Sequence, residues 1–299
     1  MSMNSPQRSQ PMRHTPWLLA APALMVIFLL AVLPFILLLS LSMTDFNYTR
    51  AATTGHWNGL ENYRAALADA DFRAACLRTA LFAAGAAALQ TVVGSGVAIA
   101  IWHLGRTRRA MLSLLLTPCF VAPITVGLIA RLLLHGDYGP LTQLLSRIGI
   151  LQSGTVFGHS SYAFLAVLAA DTWQWTPFVI LIVFAALSAV PSRLVFAARI
   201  DGATPLRAFV STTLPVILPS IILACTVRFL DATRTYDKLL VMTNGGPGAS
   251  TEMLGLYLHR VAFDRGDVGT AAAMTVIGFV AVLLLSRGVA AAAWKGAGS

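Results

Sequence analysis

The chain alternates long apolar runs with short polar segments. Windows without charge, each about 20 residues or longer and so able to cross a ~30 Å hydrocarbon core, recur along it. They lie at 15–44, 79–105, 110–130, 208–227 and 268–286, and 148–192 contains Asp171 alone. We predict six spans near 17–43, 79–104, 111–134, 162–189, 209–232 and 270–293. All should be helices, because a backbone exposed to lipid must satisfy its own hydrogen bonds.

These elements predict an all-α polytopic membrane protein with one transmembrane domain, 17–293, and two tails, 1–16 and 294–299. Composition agrees, since 57% of the 299 residues are hydrophobic and 11% are charged, against roughly 25% charged in soluble domains. With the N-terminus inside, the internal segments have about twice the density of basic residues found outside. Both termini are therefore predicted to be cytoplasmic. The internal basic residues are Arg8, Arg13, Arg106, Arg108, Arg109, Arg193, Arg199, Arg207 and Lys295.

Turn signals cluster between the fourth and fifth spans, in the predicted cytoplasmic loop 190–208. Ser192 can cap a helix that Gly202 ends, because glycine adopts the left-handed conformation at little steric cost. Thr204 can cap a second helix with Pro205 at its first position. The residues therefore predict a short helix, a sharp turn and another helix. An ordinary connection between two spans has the same signals.

A glycine-rich segment, Thr243-Asn244-Gly245-Gly246-Pro247-Gly248, follows the fifth span on the predicted external side. A P-loop requires Gly-Lys followed by Ser or Thr, and the only two lysines, Lys238 and Lys295, stand in other contexts. The chain is therefore not expected to bind ATP through a P-loop. The glycines around Pro247 favour a tight external turn that can approach another surface, and a plain surface turn explains them too.

A polar group interrupts the fourth span. Asp171 lies about nine residues from Tyr162, roughly 13 Å deep at 1.5 Å per residue, beside Trp173, Gln174 and Trp175. Aromatic faces next to hydrogen-bonding side chains suit a sugar, so these four residues are candidates for a substrate pathway. Equally, Asp171 and Gln174 could serve only to hold helices together.

Charges also mark the external end of the fifth span. Arg228, Asp231 and Arg234 are three residues apart and can form a ladder along one helical face. Snorkelling to the lipid headgroups explains these side chains without a function. An outer gate is the alternative.

The predicted cytoplasmic loop carries a family resemblance. Ala197-Ala198, Asp201-Gly202-Ala203 and Leu214-Pro215 resemble the loop of binding-protein-dependent ABC importer permeases, in which a coupling helix docks on the ATPase subunit. The resemblance implies a type I ABC importer permease fold, with coupling through the 192–215 loop. The coupling residues it implies are Phe196, Ala197, Ala198, Asp201, Gly202, Ala203, Pro205 and Pro215. The family usually has Glu at the position of Phe196, so docking here should depend on apolar contact.

The predicted external segment is similar to that of the carbohydrate subgroup, which imports sugars, polyols or glycerol phosphates. The shared features are Asp237, Thr243, Gly245-Gly246-Pro247 and Thr251-Glu252. They imply that Asn244, Gly245, Gly246 and Pro247 dock an external solute-binding protein. Further implied partners are a second permease, two ATP-binding cassette subunits that hold the ATP and Mg²⁺, and the lipid of a bacterial inner membrane.

Other functions find less support. The sequence has no His-Glu-x-x-His metal pattern and no Gly-x-Ser-x-Gly elbow, so neither a metal site nor an enzyme is predicted. No basic patch interleaved with aromatic residues points to nucleic acid. The alternatives are an ion-coupled secondary transporter, in which Asp171 would be the coupling acid, and an ABC permease for a non-carbohydrate solute. A partner ATPase would separate the importer from the secondary transporter.

Overall fold

The computed structural model describes residues 15–50, 55–104, 107–151 and 155–297, with side chains from residue 20 to residue 288 within those ranges. Residues 1–14 of the predicted N-terminal tail and 298–299 of the predicted C-terminal tail therefore lie outside the described residues, while 294–297 belong to the last helix. Arg8, Arg13, Arg106 and the side chain of Lys295 also lie outside the description. The placement of these tails stays a prediction.

Regular structure in the described ranges is helical apart from two isolated bridges, Thr44 with Trp57 and Asn47 with Asp267. The α-helices are α1 (Thr15–Ile27), α2 (Leu33–Leu41), α3 (Glu61–Ala68), α4 (Ala70–Trp102), α5 (Arg108–Leu116), α6 (Pro123–Leu133), α7 (Pro140–Arg147), α8 (Ser160–Ala189), α9 (Ser192–Ile200), α10 (Pro205–Ala208), α11 (Leu214–Ala232), α12 (Asp237–Met242), α13 (Leu254–His259) and α14 (Val268–Ala297). π-Helical turns join α1 to α2 and α10 to α11. The predicted all-helical class is confirmed.

Five helical segments of the described chain are long and apolar enough to cross a membrane. They are Ala20–Leu41, Ala70–Trp102, Ser160–Ala189, Pro205–Ala232 and Val268–Gly288. These segments correspond to the first, second, fourth, fifth and sixth predicted spans. A multi-pass membrane protein is therefore the correct class.

The third predicted span differs from a straight helix. It consists of Arg108–Phe120 and Pro123–Leu133, which meet at 92°, and it makes a sixth span only if the bent pair counts as one. Pro123 has no amide to donate and disfavours a helical conformation in the residue before it. Ala122 is accordingly extended, with φ −59° and ψ 138°.

The centre of the fold is a bundle of α4, α8 and α11. Gly94 allows α4 and α8 to approach closely, because a Cβ at this position would lie 2.8 Å from the Cβ of Val179. Small residues let helix backbones approach in this way inside membranes. Buried apolar side chains from the three helices complete the contact: Ala98, Ile101, Val179, Ile180, Val183, Leu187, Ile217 and Ala224. The 190–208 loop connects α8 to the helix that ends in α11, so it joins two members of this bundle.

Candidate functional site

The first candidate site is the 190–208 loop, where α9 begins at Ser192, one residue earlier than a cap at Ser192 requires. Pro191 occupies the capping position with extended backbone, and no side chain caps the helix. The predicted cap at Ser192 is therefore wrong, because Pro191 ends the preceding segment and makes Ser192 the first helical residue.

The end of α9 is a Schellman motif centred on Gly202, whose φ is +80°. The Gly202 amide donates to the Arg199 carbonyl over 3.1 Å, and the Ala203 amide donates to the Ala198 carbonyl over 3.0 Å. The Thr204 hydroxyl then accepts from the Arg207 amide over 3.4 Å, with Pro205 as the first residue of α10. The predicted order of helix, turn and second helix is confirmed.

Helix α9 contributes no buried side chain. Phe196 is 59% exposed and Ile200 is 86% exposed, and their spacing of four places them on one helical face. Arg193, Arg199 and Arg207 have no ion-pair partner within the described part of the chain. The loop therefore presents apolar side chains surrounded by positive charge. Of the other predicted coupling residues, Ala197, Asp201, Pro205 and Pro215 are exposed, and Ala198 and Ala203 are half-buried.

The second candidate site surrounds Asp171, which is fully buried in the middle of α8. Lys238 of α12 forms an ion pair with Asp171 Oδ1. Arg228 Nη2 lies 3.2 Å from Asp171 Oδ2, and Gln90 Nε2 donates to the same oxygen over 2.8 Å. One carboxylate thus connects α8 to three other helices.

Arg228 is the second member of this cluster. Its Nε donates to Gln90 Oε1 over 2.6 Å, its Nη1 pairs with Asp231, and its guanidinium lies 4.8 Å from the centre of the Trp175 ring. The prediction that Arg228 snorkels to the headgroups is wrong, because the side chain is buried against a buried counter-charge. Arg234, in contrast, is exposed.

Gln174 extends the cluster to the bend after α5. Its Oε1 accepts from Lys238 Nζ over 3.0 Å, and its Nε2 donates to the Val121 carbonyl over 2.7 Å. The structure therefore brings Asp171, Gln174 and Trp175 together. Trp173 is 53% exposed and lies in an apolar groove with Ala169 and Leu165 instead.

Sequence reasoning did not find Gln90 or Lys238. Gln90 is the only amide side chain in the 79–104 span, and Lys238 is one of two lysines in the protein. Both signals were present in the sequence. Neither one indicated which helix each side chain faces.

A small polar cavity of about 100 Å³ lies beside this cluster, and the aromatic ring of Trp175 forms part of its wall. The other lining residues are Pro123, Asp231, Arg234, Thr235, Tyr236, Asp237 and Lys238. The lining thus combines aromatic faces with charged hydrogen-bonding groups. Within the described residues, no group of three or more His, Cys, Asp or Glu side chains is placed to hold a metal ion.

The third candidate site is the 243–248 loop, whose backbone is fixed by hydrogen bonds from side chains that follow it in the chain. Thr251 Oγ1 donates to the Gly246 carbonyl over 2.8 Å, and Arg260 Nη2 donates to the Asn244 carbonyl over 2.6 Å. Gly245 is buried with φ +83°, while Gly246 and Pro247 are half-buried. Of the four predicted docking residues, only Asn244 is exposed. Gly245 serves the turn rather than the surface.

The cluster, the bent segment, α8 to α13 and most of α14 fall within residues 90–293, which match the family described as binding-protein-dependent transport system inner membrane component. The chain belongs to this family. The permease is therefore a membrane component of a transport system, and the predicted family is correct.

Relatives of the permease cover most of its length. It is 33% identical over 225 residues to the trehalose/maltose transport system permease protein MalF of Thermococcus litoralis, a match covering 75% of this chain and 76% of the relative. It is 31% identical over 264 residues to the sulfoquinovosyl glycerol transport system permease protein SmoG of Agrobacterium fabrum, covering 88% and 84%.

Solved structures share the fold of the permease. A chain of a bacterial ABC transporter involved in the import of the acidic polysaccharide alginate superposes with a TM-score of 0.80 at 17% identity, covering 93% of the permease and 96% of that chain. The MetNI methionine ABC transporter gives a TM-score of 0.52 at 17% identity, covering 74% and 95%. The predicted ABC importer permease fold is confirmed.

Proposed function

We propose that the permease is the transmembrane subunit of an ATP-driven ABC importer that carries a sugar or related polyol from an external binding protein across the inner membrane. The observation that carries this proposal is the identity of 33% and 31% to two permeases named for carbohydrate transport. A second permease and two ATPase subunits complete the assembly, and the ATPase subunits bind the ATP and Mg²⁺. Both termini face the cytoplasm, as the basic residues favour.

The 192–215 loop is the proposed contact with the ATPase. Phe196 and Ile200 are exposed on one face of α9, and they fit an apolar groove on the partner. Arg193, Arg199 and Arg207, which have no ion-pair partner among the described residues, favour an acidic rim around that groove. Because the loop joins α8 to α11, a displacement of α9 moves both central helices and can switch the pathway between its inward and outward openings.

The polar cavity is the proposed part of the solute pathway. Trp175 and Tyr236 supply ring faces, and Asp231 and Arg234 supply hydrogen-bonding groups at the same cavity. Asp171 and Gln174 support this wall from behind. The volume of about 100 Å³ is below the roughly 300 Å³ of the smallest ordinary ligand pockets. We infer that the transport movement enlarges the cavity and that the second permease supplies another wall.

The 243–248 loop is the proposed contact with the binding protein. Asn244 is exposed beside a cavity of about 450 Å³ that Arg131 and His135 also line. The hydrogen bonds from Thr251 and Arg260 fix the loop, so a partner meets a surface that is already ordered.

Uptake by the reconstituted complex tests the proposal. The permease, second permease, ATPase and binding protein are placed in vesicles, and labelled maltose, trehalose and sulfoquinovosyl glycerol are supplied in turn. We expect uptake of at least one sugar that requires both ATP and the binding protein. Uptake driven by an ion gradient in permease-only vesicles, or ATP-driven uptake of an amino acid and of none of the sugars, would overturn the proposal.

A further inference from the structure

Lys238 connects the helix before the 243–248 loop to the central bundle. It lies on α12, which precedes that loop directly, and its side chain is 3% exposed. Its Nζ contacts two residues of α8, Asp171 and Gln174. The side chain thus joins α8 to α12 by ionic and hydrogen bonds.

Other contacts attach α12 mainly to α6. A Cβ on Gly127 would lie 3.2 Å from the Lys238 Cα, so the two helices approach closely. Arg131 Nη1 donates to the Val241 carbonyl over 2.9 Å. Helices α6 and α12 therefore form one unit. It is linked to α8 by two polar connections, Lys238 and the bond from Gln174 to Val121, and by the apolar core that Leu239 and Met242 share with Ala166 and Val167.

Charge compensation alone does not account for Lys238. Asp171 already has a buried cation, Arg228, at 3.2 Å. Arg228 also pairs with Asp231, but the Asp231 side chain is 47% exposed, so water solvates its charge and no second buried cation is needed for it. Burying a second cation costs free energy that an apolar residue of similar volume avoids. What Lys238 adds is a fixed distance between α12 and α8.

We propose that Lys238 is a positioning residue of the transport pathway, which locks α12, the 243–248 loop and the adjoining cavity wall to α8. Helix α8 ends at Ala189, and α9 begins at Ser192, so the lock transmits movement between the two ends of the permease. This inference rests on the proposed importer function, in which the ATPase meets α9 and the binding protein meets the 243–248 loop.

The test compares four forms of the reconstituted complex: wild type, Lys238→Met, Asp171→Asn with Lys238→Met, and Thr172→Val. Thr172 is the control, since it neighbours Asp171 but, among the described residues, its side chain bonds only to the Leu168 carbonyl of its own helix. The measured quantity is ATP hydrolysis with the sugar-loaded binding protein divided by hydrolysis without it, using the sugar identified by the uptake assay. Loss of folded complex lowers both rates together and leaves this ratio unchanged.

We expect Lys238→Met to lower the ratio about fivefold or more, the lower end of ordinary coupling between sites, with Thr172→Val unchanged. The double variant should remain low. A wild-type ratio in Lys238→Met would overturn the inference, and so would recovery in the double variant, since Lys238 would then only neutralise Asp171. If Lys238→Met does not assemble, Lys238→Arg replaces it, because Arg keeps the charge with a different geometry. A wild-type ratio in Lys238→Arg overturns a role that depends on distance.

A second measurement requires no solute and separates this inference from the proposed function. Nitroxide labels at Leu240→Cys in α12 and Ser161→Cys in α8 report the distance between the two helices, in a background with the three native cysteines replaced by serine. We expect one narrow distance distribution with Lys238 and a broadened one with Lys238→Met. Equal widths would overturn the inference even if sugar uptake is observed, and broadening would support it even if no sugar is carried.

Discussion

Replacement of Gly202 tests whether the turn after α9 transmits work. Gly202 has φ +80°, and a Cβ added there would have no atom within 4 Å. A larger residue therefore fits in the available space, and the cost lies only in the backbone conformation. For a residue with a Cβ that cost is about 1–2 kcal/mol. It should be smallest for Asn, which tolerates the left-handed region, and largest for β-branched Val.

One to two kcal/mol changes the population of the native turn by a factor of roughly 5–30. Loss of the turn removes the bonds from Gly202 to Arg199 and from Ala203 to Ala198, and with them the direction in which α9 meets α10. We expect sugar uptake to fall in the order Gly, Asn, Ala, Val. The assay is ATP-dependent uptake in vesicles, divided by the amount of permease that a blot of the membranes shows.

Gly149 provides a matched control in the same chain. It follows α7 with φ +76°, also has no atom within 4 Å of an added Cβ, and ends its helix through the same pair of bonds, Gly149 to Ser146 and Ile150 to Leu145. Gly149→Val should therefore carry the same strain but leave uptake near the wild-type rate. Normal uptake with Gly202→Val would refute the coupling role. Equal losses from both Val variants would show that strain alone, wherever it lies, impairs the protein.

Three further substitutions test separate parts of the structure. Gly94→Ala should destabilise the permease by about 1–3 kcal/mol, because the new methyl group overlaps Val179. Gly96→Ala is the control and should be neutral or stabilising, because the space around Gly96 is open. Thermal unfolding in detergent compares the two variants, and equal melting temperatures would contradict the close packing of α4 on α8. Phe196→Leu should retain uptake and Phe196→Asp should lose it, since burial in an apolar groove contributes about 1.5–3 kcal/mol for such a side chain. The amount of ATPase that co-purifies with each variant measures the binding. Full ATPase binding by Phe196→Asp would contradict an apolar groove. Asp69→Asn should cost about 1 kcal/mol at pH 7, because Asp69 caps α4 and accepts a bond of 2.6 Å from Tyr257. Partial burial raises the pKa of Asp69, but the bonds from Tyr257 and from the Phe72 and Asp71 amides outweigh it and leave that pKa below the usual value. The contribution of the Asp69 carboxylate to stability is thus present above about pH 4 and is lost as the pH falls through the lowered pKa. A difference in stability between wild type and Asp69→Asn that persists at lower pH would contradict this role of the carboxylate.

Short stretches of sequence predicted those helices and turns whose conformation depends only on residues adjacent in the chain. Apolar runs placed five long helices, and the turn residues around Gly202 predicted its conformation, because a left-handed glycine is a property of a few adjacent residues. The bend before Pro123 was harder to predict. A proline such as Pro123 is compatible with either a straight or a bent span. In the structure the bend is accompanied by a hydrogen bond from Gln174 of α8 to the Val121 carbonyl, and the sequence of the span itself does not contain that contact.

The buried cluster could not be predicted in the same way. Lys238 and Asp171 are 67 residues apart, and their contact requires α12 to fold back against α8. Arg228 was expected at the headgroups because its own helix offers no buried counter-charge. The charge that draws it inward belongs to α8, and hydropathy along one helix does not contain that information.

The bend also constrains how the protein is made. The Val121 carbonyl is bonded by Gln174, which is synthesised 53 residues later. At 5–20 residues per second that delay is about 3–11 s, during which an unbonded carbonyl in lipid would cost several kcal/mol. We therefore expect the bent segment to reach its final hydrogen bonding only after α8 has been made, so that the geometry of the two is fixed together.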